Sequence, residues 1–381
     1  MSDRARAEWV VVGAGFTGAT VARRLAEDCG LRVLLVDRRP HLGGNACDLP
    51  DESGLTVHQY GPHIFHTNGI RVVEFLSRFT EWRPYRHRVQ ALVKGELVPL
   101  PFGFDAIDRL FGSSAARIKA KLEQTYGLGS RVPILKLMDA ADRDLQDLAQ
   151  FVFENVFLGY TKKHWGCDPR ALDPSVTGRV PIVVSDGDDY FQDSFQAIPK
   201  AGYTALFQRM LDHPNITVAL GVSYNDLGIA EKALPAVYTG AIDGYFGFSF
   251  GALPYRSADF VRRTAPVARV QPCAVLNFPC DFAFTRTTEF SWITGQTACC
   301  SVLMDEYPCA HEPGRNEALY PVPAPANQRL ALRYRREADL LQGRVWFAGR
   351  LGDYMYYNMD QACARALSLV DKEIIPFLKA S

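Results

Sequence analysis

A short apolar run at Trp9 to Val12 gives way to Gly13-Ala14-Gly15-Phe16-Thr17-Gly18, after which Ala19, Val21, Ala22, Leu25 and Ala26 recur at helical spacing. The pattern predicts a strand, a glycine turn and a helix in that order. A second apolar run at Arg32 to Val36 predicts a neighbouring strand, and it ends in Asp37, about 20 residues beyond the turn. Isolated glycine turns occur in many loops, but this succession of strand, turn, helix, strand and acid favours a dinucleotide-binding unit. Bare backbone at Gly13, Gly15 and Gly18 lets a pyrophosphate approach the helix N-terminus, which offers unpaired N–H groups and partial positive charge. Arg38 and Arg39 add charge near the adenosine half. A second turn at Gly43-Gly44-Asn45-Ala46 is more typical of sites for FAD, an extended cofactor, the other reading being a solvent-exposed turn.

From about Asp105 to Gly166 the pattern turns to amphipathic helix, most clearly at Ala115 to Leu122 and Asp144 to Phe151. Aromatic and β-branched residues return at Gln90 to Val98, Val180 to Val184 and Tyr245 to Phe290, predicting a separate antiparallel sheet. Val237-Tyr238-Thr239-Gly240 and Arg344 to Arg350 read as late strands returning to the first unit. The expected fold is α/β: a discontinuous Rossmann-like FAD-binding domain with an inserted helical domain and an antiparallel β-sheet domain. The expected boundaries are 1–78, 200–244 and 316–381 for the FAD-binding domain, 100–178 for the helices, and 79–99, 179–199 and 245–315 for the sheet that faces substrate.

Composition narrows the function. The 381 residues are 48% hydrophobic, enough for packed cores and against disorder. Lys+Arg and Asp+Glu are 42 each, which argues against nucleic acid or an anionic membrane as partner and leaves room for a local basic pocket. The first residues lack a secretory pattern and no apolar run is long enough to span a bilayer, so a cytoplasmic location is expected. The nine cysteines include no C-x-x-C pair and read as reduced core thiols. His63 and His66 invite a metal reading, but no acid completes an H-E-x-x-H arrangement, and no metal ligand is assigned.

Further segments follow in order: Gly61-Pro62-His63-Ile64-Phe65-His66-Thr67, Gly159-Tyr160-Thr161-Lys162-Lys163-His164-Trp165-Gly166, Tyr190-Phe191-Gln192-Asp193, Ile198-Pro199-Lys200-Ala201-Gly202-Tyr203-Thr204, and Gly349 to Tyr357. Together with the glycine turn they resemble the bacterial UDP-galactopyranose mutase family over nearly the whole chain. The resemblance implies an isomerase, a flavoprotein that interconverts pyranose and furanose forms of a nucleotide-linked sugar. FAD is active there in its reduced form and acts as the nucleophile, with NAD(P)H as a candidate reductant. It further implies that Gly13, Gly15, Gly18, Asp37, Arg38, Gly44, Asn45, Thr239, Arg350, Tyr357 and Met359 hold the cofactor, with His63 against the flavin. Arg179 and Arg286 would bind the diphosphate and stabilise it as it leaves. Tyr190, Tyr320 and Tyr356 would bond the phosphates, Tyr160 and Trp165 would hold the base, and Arg256 would join the substrate site. A homodimer is expected, with a nucleotide sugar as the small-molecule partner.

Four positions depart from the family pattern. Pro62 replaces an alanine beside His63 and removes an N–H, and Asn358 replaces an aspartate beside the expected chemistry, which makes it a candidate catalytic position. Lys162 stands where an acid is usual, and Phe195 where a tyrosine is usual. Changes of donor and acceptor redirect specificity, so a GDP-linked or 6-deoxy sugar is an alternative substrate. The remaining alternatives are a flavin-independent, metal-assisted isomerase or binding protein on the same fold, and an FAD-dependent amine oxidase.

Overall fold

The computed structural model describes residues 6–173 and 181–380, so Arg179 lies outside the described residues. Trp9–Val12 is the middle strand of a five-stranded parallel sheet, flanked by Val33–Asp37 and then Ile216–Leu220 on one side, and by Ala236–Tyr238 and then Val345–Phe347 on the other. Register pairs Val11 with both Leu35 and Val237, so the two late strands join the first unit edge to edge. Every residue of Trp9–Val12 is buried, as both faces of a parallel sheet require. Helix Phe16–Asp28 packs on one face beside Met359–Leu369, with Leu25, Leu35, Phe207 and Leu367 in a common core.

A seven-stranded sheet stands beside this unit, in the order Tyr320–Pro321, Tyr255–Ala265, Ser301–Ala310, Arg286–Glu289, Val275–Asn277, Val89–Val93 and Glu96–Leu100. It is antiparallel except where Val275–Asn277 runs parallel to Val89–Val93, so the sheet is mixed rather than wholly antiparallel. Three further elements differ from the sequence reading. Pro181–Val183 does not enter the large sheet but pairs with Arg131–Pro133 in a ladder of its own. Pro133 and Pro181 lack the N–H that a central strand needs, and a two-stranded ladder has only edges. Ile242–Tyr245 is a helical turn, and Tyr320–Pro321 joins the edge of the large sheet.

Helices Phe104–Phe111, Ala115–Tyr126, Ile134–Met138 and Arg143–Val152 form the insert, and the last continues through a wide turn at Phe153–Leu158 into Gly159–Trp165. Gly159 lets this helix lie against the large sheet, since a Cβ there would sit 2.3 Å from the Pro279 carbonyl oxygen. The cysteines are free, but not all are core thiols: Cys47, Cys273 and Cys363 are buried, whereas Cys280 and Cys299 lie in exposed turns. No helix among the described residues is long and apolar enough to cross a membrane.

Gly159→Ala is expected to destabilise the protein by about 2 kcal/mol, because neither the helix nor the Pro279 backbone can yield cheaply. Gly244→Ala, where a Cβ would meet only ordinary contacts near 4 Å, should leave the thermal midpoint within a degree or two.

Candidate functional site

Two cavities adjoin, one of them at the C-terminal edge of the parallel sheet. The first, of about 520 Å³, is built on the glycine turns. Gly13 has φ +106°, and a Cβ on it would fall 2.0 Å from Thr239 Oγ1, which itself donates to the Val12 carbonyl at 2.6 Å. A Cβ on Gly18 would lie 1.9 Å from the Gly13 carbonyl oxygen. The second turn is not a solvent loop: Gly43 N donates to the Ala14 carbonyl at 2.9 Å, and Gly44 sits directly against Gly15. Asp37 accepts from Ala14 N at 2.7 Å and Arg39 N at 2.8 Å, fixing the turn while lone pairs remain on its carboxylate. Helix Phe16–Asp28 begins at Gly15 with no side-chain cap and no acid in its first turn. Its N-terminus therefore offers uncompensated positive charge to an anion, and the bare cradle fits a dinucleotide pyrophosphate.

At the far end of this cavity Arg38 and Arg39 both pair with Glu317. Arg39 also donates to Asn45 Oδ1 at 2.9 Å and lies over the Tyr60 ring at 4.7 Å. At the near end the wall is formed by His63, Arg350, Tyr357, Asn358 and Met359.

The second cavity, of about 570 Å³, shares His63, Arg350, Asn358 and Met359 with the first. Among the described residues no carboxylate pairs with Arg350, as one would with a structural arginine. Arg350 donates to the Tyr357 and Leu319 carbonyls, and its cation lies 5.3 Å and 5.1 Å from the Tyr320 and Tyr356 ring centres. His63 Nδ1 lies 2.9 Å from the Gly61 carbonyl, which fixes Nδ1 as the protonated nitrogen. Its backbone N–H donates to His58 Nδ1 at 2.9 Å, and Tyr203 Oη donates to its carbonyl at 3.1 Å. Burial holds His63 down to about 3, helped by His58 and by the charges of Arg350 and Arg286. Asn358 is the N-cap of Met359–Leu369, its N–H donating to Gln361 Oε1 at 2.9 Å. Asparagine and aspartate serve this position equally, so the departure from the family pattern leaves the helix start intact and removes a charge from the shared wall.

Arg286 lies on the large sheet opposite Glu306, to which Nε and Nη2 donate at 2.8 Å and 2.7 Å. Both donors go to Oε2, and Oε1 is buried with no partner among the described residues. Burial opposes the Arg286 charge, but the carboxylate beside it holds the guanidinium well above its ordinary value. Tyr160, Tyr190, Tyr320 and Tyr356 line the same cavity. Burial pushes the Tyr160 and Tyr320 phenols up, so both remain protonated donors.

Other expected site residues lie elsewhere. Arg256 does not reach the cavity; it donates to the Lys163 and His164 carbonyls at 2.9 Å and 2.8 Å and caps the C-terminus of Gly159–Trp165. Trp165 is buried behind Tyr320 and Tyr356, with ring centres 6.4 Å and 6.1 Å away, and supports them from outside the wall. Of the four departures, Pro62 and Asn358 line the cavity. Lys162 is exposed, and Phe195, half-buried, packs edge-on against Phe65 and Trp82.

The sequence reading missed Glu306, His87, the His66–Asp193 pair and Arg131. Asp305-Glu306 interrupts an otherwise apolar strand, a signal for a buried cationic partner. His66 and Asp193 both sit in motif segments and bond at 2.6 Å, and the His66 ring stacks on Phe191 with centres 3.6 Å apart. His87 is buried on the cavity wall and held down to about 3 by burial. Among the described residues no group of three or more His, Cys, Asp or Glu is arranged to hold a metal ion.

The sequence profile of UDP-galactopyranose mutases matches residues 155–356, and that of NAD(P)-binding Rossmann-like domains matches residues 11–79. The chain is 35% identical to a UDP-galactopyranose mutase of Mycoplasma genitalium, over 93% of this chain and 91% of that protein. It is 33% identical to a dTDP-fucopyranose mutase of Escherichia coli, over 94% and 96%. Among solved structures, that of reduced UDP-galactopyranose mutase superposes with a TM-score of 0.74 at 17% identity, over 97% of this chain and 94% of that one.

His58, His63, His87 and His164 are each held down to about 3 by burial. Below the unfolded-state value of about 6.5 the unfolded chain takes up protons that the folded chain refuses, so stability falls as pH falls from about 6.5 toward 3. Each imidazole contributes about 1.4 kcal/mol per pH unit in that window. Thermal midpoints measured between pH 7 and 4.5 should drop steeply, and His58→Gln should flatten the curve by about one proton.

Proposed function

Because the chain belongs to the UDP-galactopyranose mutase family, we propose that it interconverts UDP-galactopyranose and UDP-galactofuranose using reduced FAD. The observation that carries this reading is the wall common to the two cavities, where His63, Arg350, Asn358 and Met359 face both. A dinucleotide cofactor on the glycine turns would present its reactive ring to a sugar in the second cavity across those residues.

Gly13, Gly15 and Gly18 with the helix N-terminus would hold the FAD pyrophosphate, Asp37 the ribose, and Arg38, Asn45 and Gly44 the adenosine side. Bound reduced FAD supplies the nucleophile for the anomeric carbon. Around it, Arg286 keeps its charge through Glu306 and can direct its remaining N–H groups to a diphosphate as negative charge develops. The protonated phenol of Tyr320 would donate to a phosphate oxygen, and Tyr160 would stand on the side of the base. His63, protonated at Nδ1, turns the lone pair of Nε2 outward as an acceptor and can take a proton there only at a large energetic penalty. An amine oxidase needs an apolar substrate side, which the arginines and tyrosines of this cavity do not provide. The same reading carries a homodimer working in the cytoplasm, with NAD(P)H as the reductant.

The test is an absorbance spectrum of the purified protein, then dithionite and UDP-galactopyranose, with product ring size read by NMR and dTDP-fucopyranose run alongside because a relative of that name is about equally similar. Bound flavin whose reduction switches on ring exchange is expected; a colourless protein with ring-exchange activity refutes the flavin mechanism. Arg286→Lys, which keeps a cation beside Glu306 but loses the planar fork, should lower kcat/KM by about 100-fold with the flavin spectrum unchanged.

A further inference from the structure

The cations on the wall of the second cavity differ in how they are held. Arg286 is tied to Glu306 and Arg350 to two carbonyls. Arg131 lines the same cavity, and no carboxylate among the described residues pairs with it. Of the acids that follow its ladder partner, Asp186 forms no ion pair among the described residues, Asp188 pairs with Arg88 at 3.2 Å and Asp189 with Arg86 at 3.9 Å. Asp193, across the cavity, accepts from His66 and from Asn68 Nδ2.

The backbone beneath Arg131 is fixed. It pairs with Val183, Val184 N donates to the Ser130 carbonyl at 2.9 Å, Gly129 N donates to the Val184 carbonyl at 2.7 Å, and Val183 N is anchored on the Phe102 carbonyl at 2.8 Å. The side chain reaches from this ladder toward Tyr190, the ionisable neighbour that acts on it, and partial burial lowers its pKa. Arg131 is exposed on the cavity wall, so its guanidinium, with no carboxylate partner among the described residues, is open to an anion arriving from solvent.

Resting on the mutase reading, we propose that Arg131 is a further anion-holding residue of the substrate cavity, contacting the nucleoside diphosphate from the Tyr190 side, opposite the Arg286–Glu306 pair. Arg286 is preset by its carboxylate to stabilise charge, whereas Arg131 gains its partner only when the nucleotide arrives. Its contribution is therefore to capture and retention of the diphosphate.

The test compares UDP, UMP and uridine binding by calorimetry in the flavin-loaded wild type and in Arg131→Ala, Arg131→Gln and Arg131→Lys, with thermal midpoints and flavin absorbance as folding checks. Arg131→Gln should weaken UDP about 30-fold and UMP less, leave uridine within about twofold, and reduce the salt dependence of UDP binding; Arg131→Lys should recover most of the loss. Arg131→Ala should match Arg131→Gln, and if it folds poorly the glutamine variant carries the comparison. UDP affinity unchanged in a folded Arg131→Gln, or an equal loss for uridine, overturns the assignment while leaving the mutase reading in place. A flavin-loaded wild type that binds no nucleoside diphosphate and exchanges no ring refutes the mutase reading itself.

Discussion

The pair formed by Arg286 and Glu306 governs the electrostatics of the substrate cavity. A carboxylate only 2% exposed, accepting two guanidinium donors on one oxygen, is an arrangement whose removal by halves destabilises a protein by roughly 3–5 kcal/mol. As a source of stability alone it is a poor choice, since an apolar pair of the same volume would serve as well. Its value lies in what it fixes nearby. The guanidinium stays charged, its plane is set by Nε and Nη2, and its field helps hold His63, His87 and His164 neutral. The phenols of Tyr160 and Tyr320, pushed up by burial, also remain neutral donors. A positive centre ringed by neutral donors suits an incoming dianion, because nothing there must change protonation before it binds.

The two cavities need each other for a geometric reason. The glycine turns offer a dinucleotide cradle along the edge of the parallel sheet, yet no side chain of the described strands of that sheet lines the second cavity. The link is made by segments that leave one unit to wall the other: the stretch around Gly61 to His63 and the loop from Arg350 to Asn358. Gly61 has φ +84°, and a Cβ on it would lie 3.1 Å from Glu306 Oε2, so the chain crosses directly over the ion pair. His63 is then fixed from three sides, by Gly61, His58 and Tyr203. Reactive positions on a loop thus acquire the rigidity of the sheets they bridge.

Much of this was legible in the sequence because it depends on local rules. The glycine turn, Asp37, the returning strands at Ala236–Tyr238 and Val345–Phe347 and the helical insert follow from spacing and turn chemistry, and the resemblance supplied Arg286 and the tyrosines. What escaped the reading depends on pairing across distance. The acids in the apolar strand Ser301–Ala310 signal a cationic partner for Glu306 but not that it is Arg286, and nothing near Arg256 announces that its donors are used by a helix terminus. Arg131 was invisible for the same reason: its neighbours in sequence are unremarkable, and only the ladder with Pro181–Val183 brings it to the cavity. Trp165 shows the converse, a motif residue whose ring packs against Tyr320 and Tyr356.

The departures from the family pattern divide by the same physics. Lys162 and Phe195 fall where the chain is solvated or packed, and there a lost acid or hydroxyl changes little at the cavity. Pro62 and Asn358 fall on the wall itself, each where the backbone already meets its own needs. Pro62 gives up an N–H next to a glycine that sets the turn through its positive φ, so the path of the chain does not depend on that donor. Asn358 gives up a carboxylate at a helix start that an amide caps equally well. Both substitutions therefore leave the fold untouched and remove a donor and a negative charge from the junction of the two cavities. That shifts the net charge seen by a bound anion in the favourable direction, toward Arg286 and Arg350, without moving either arginine.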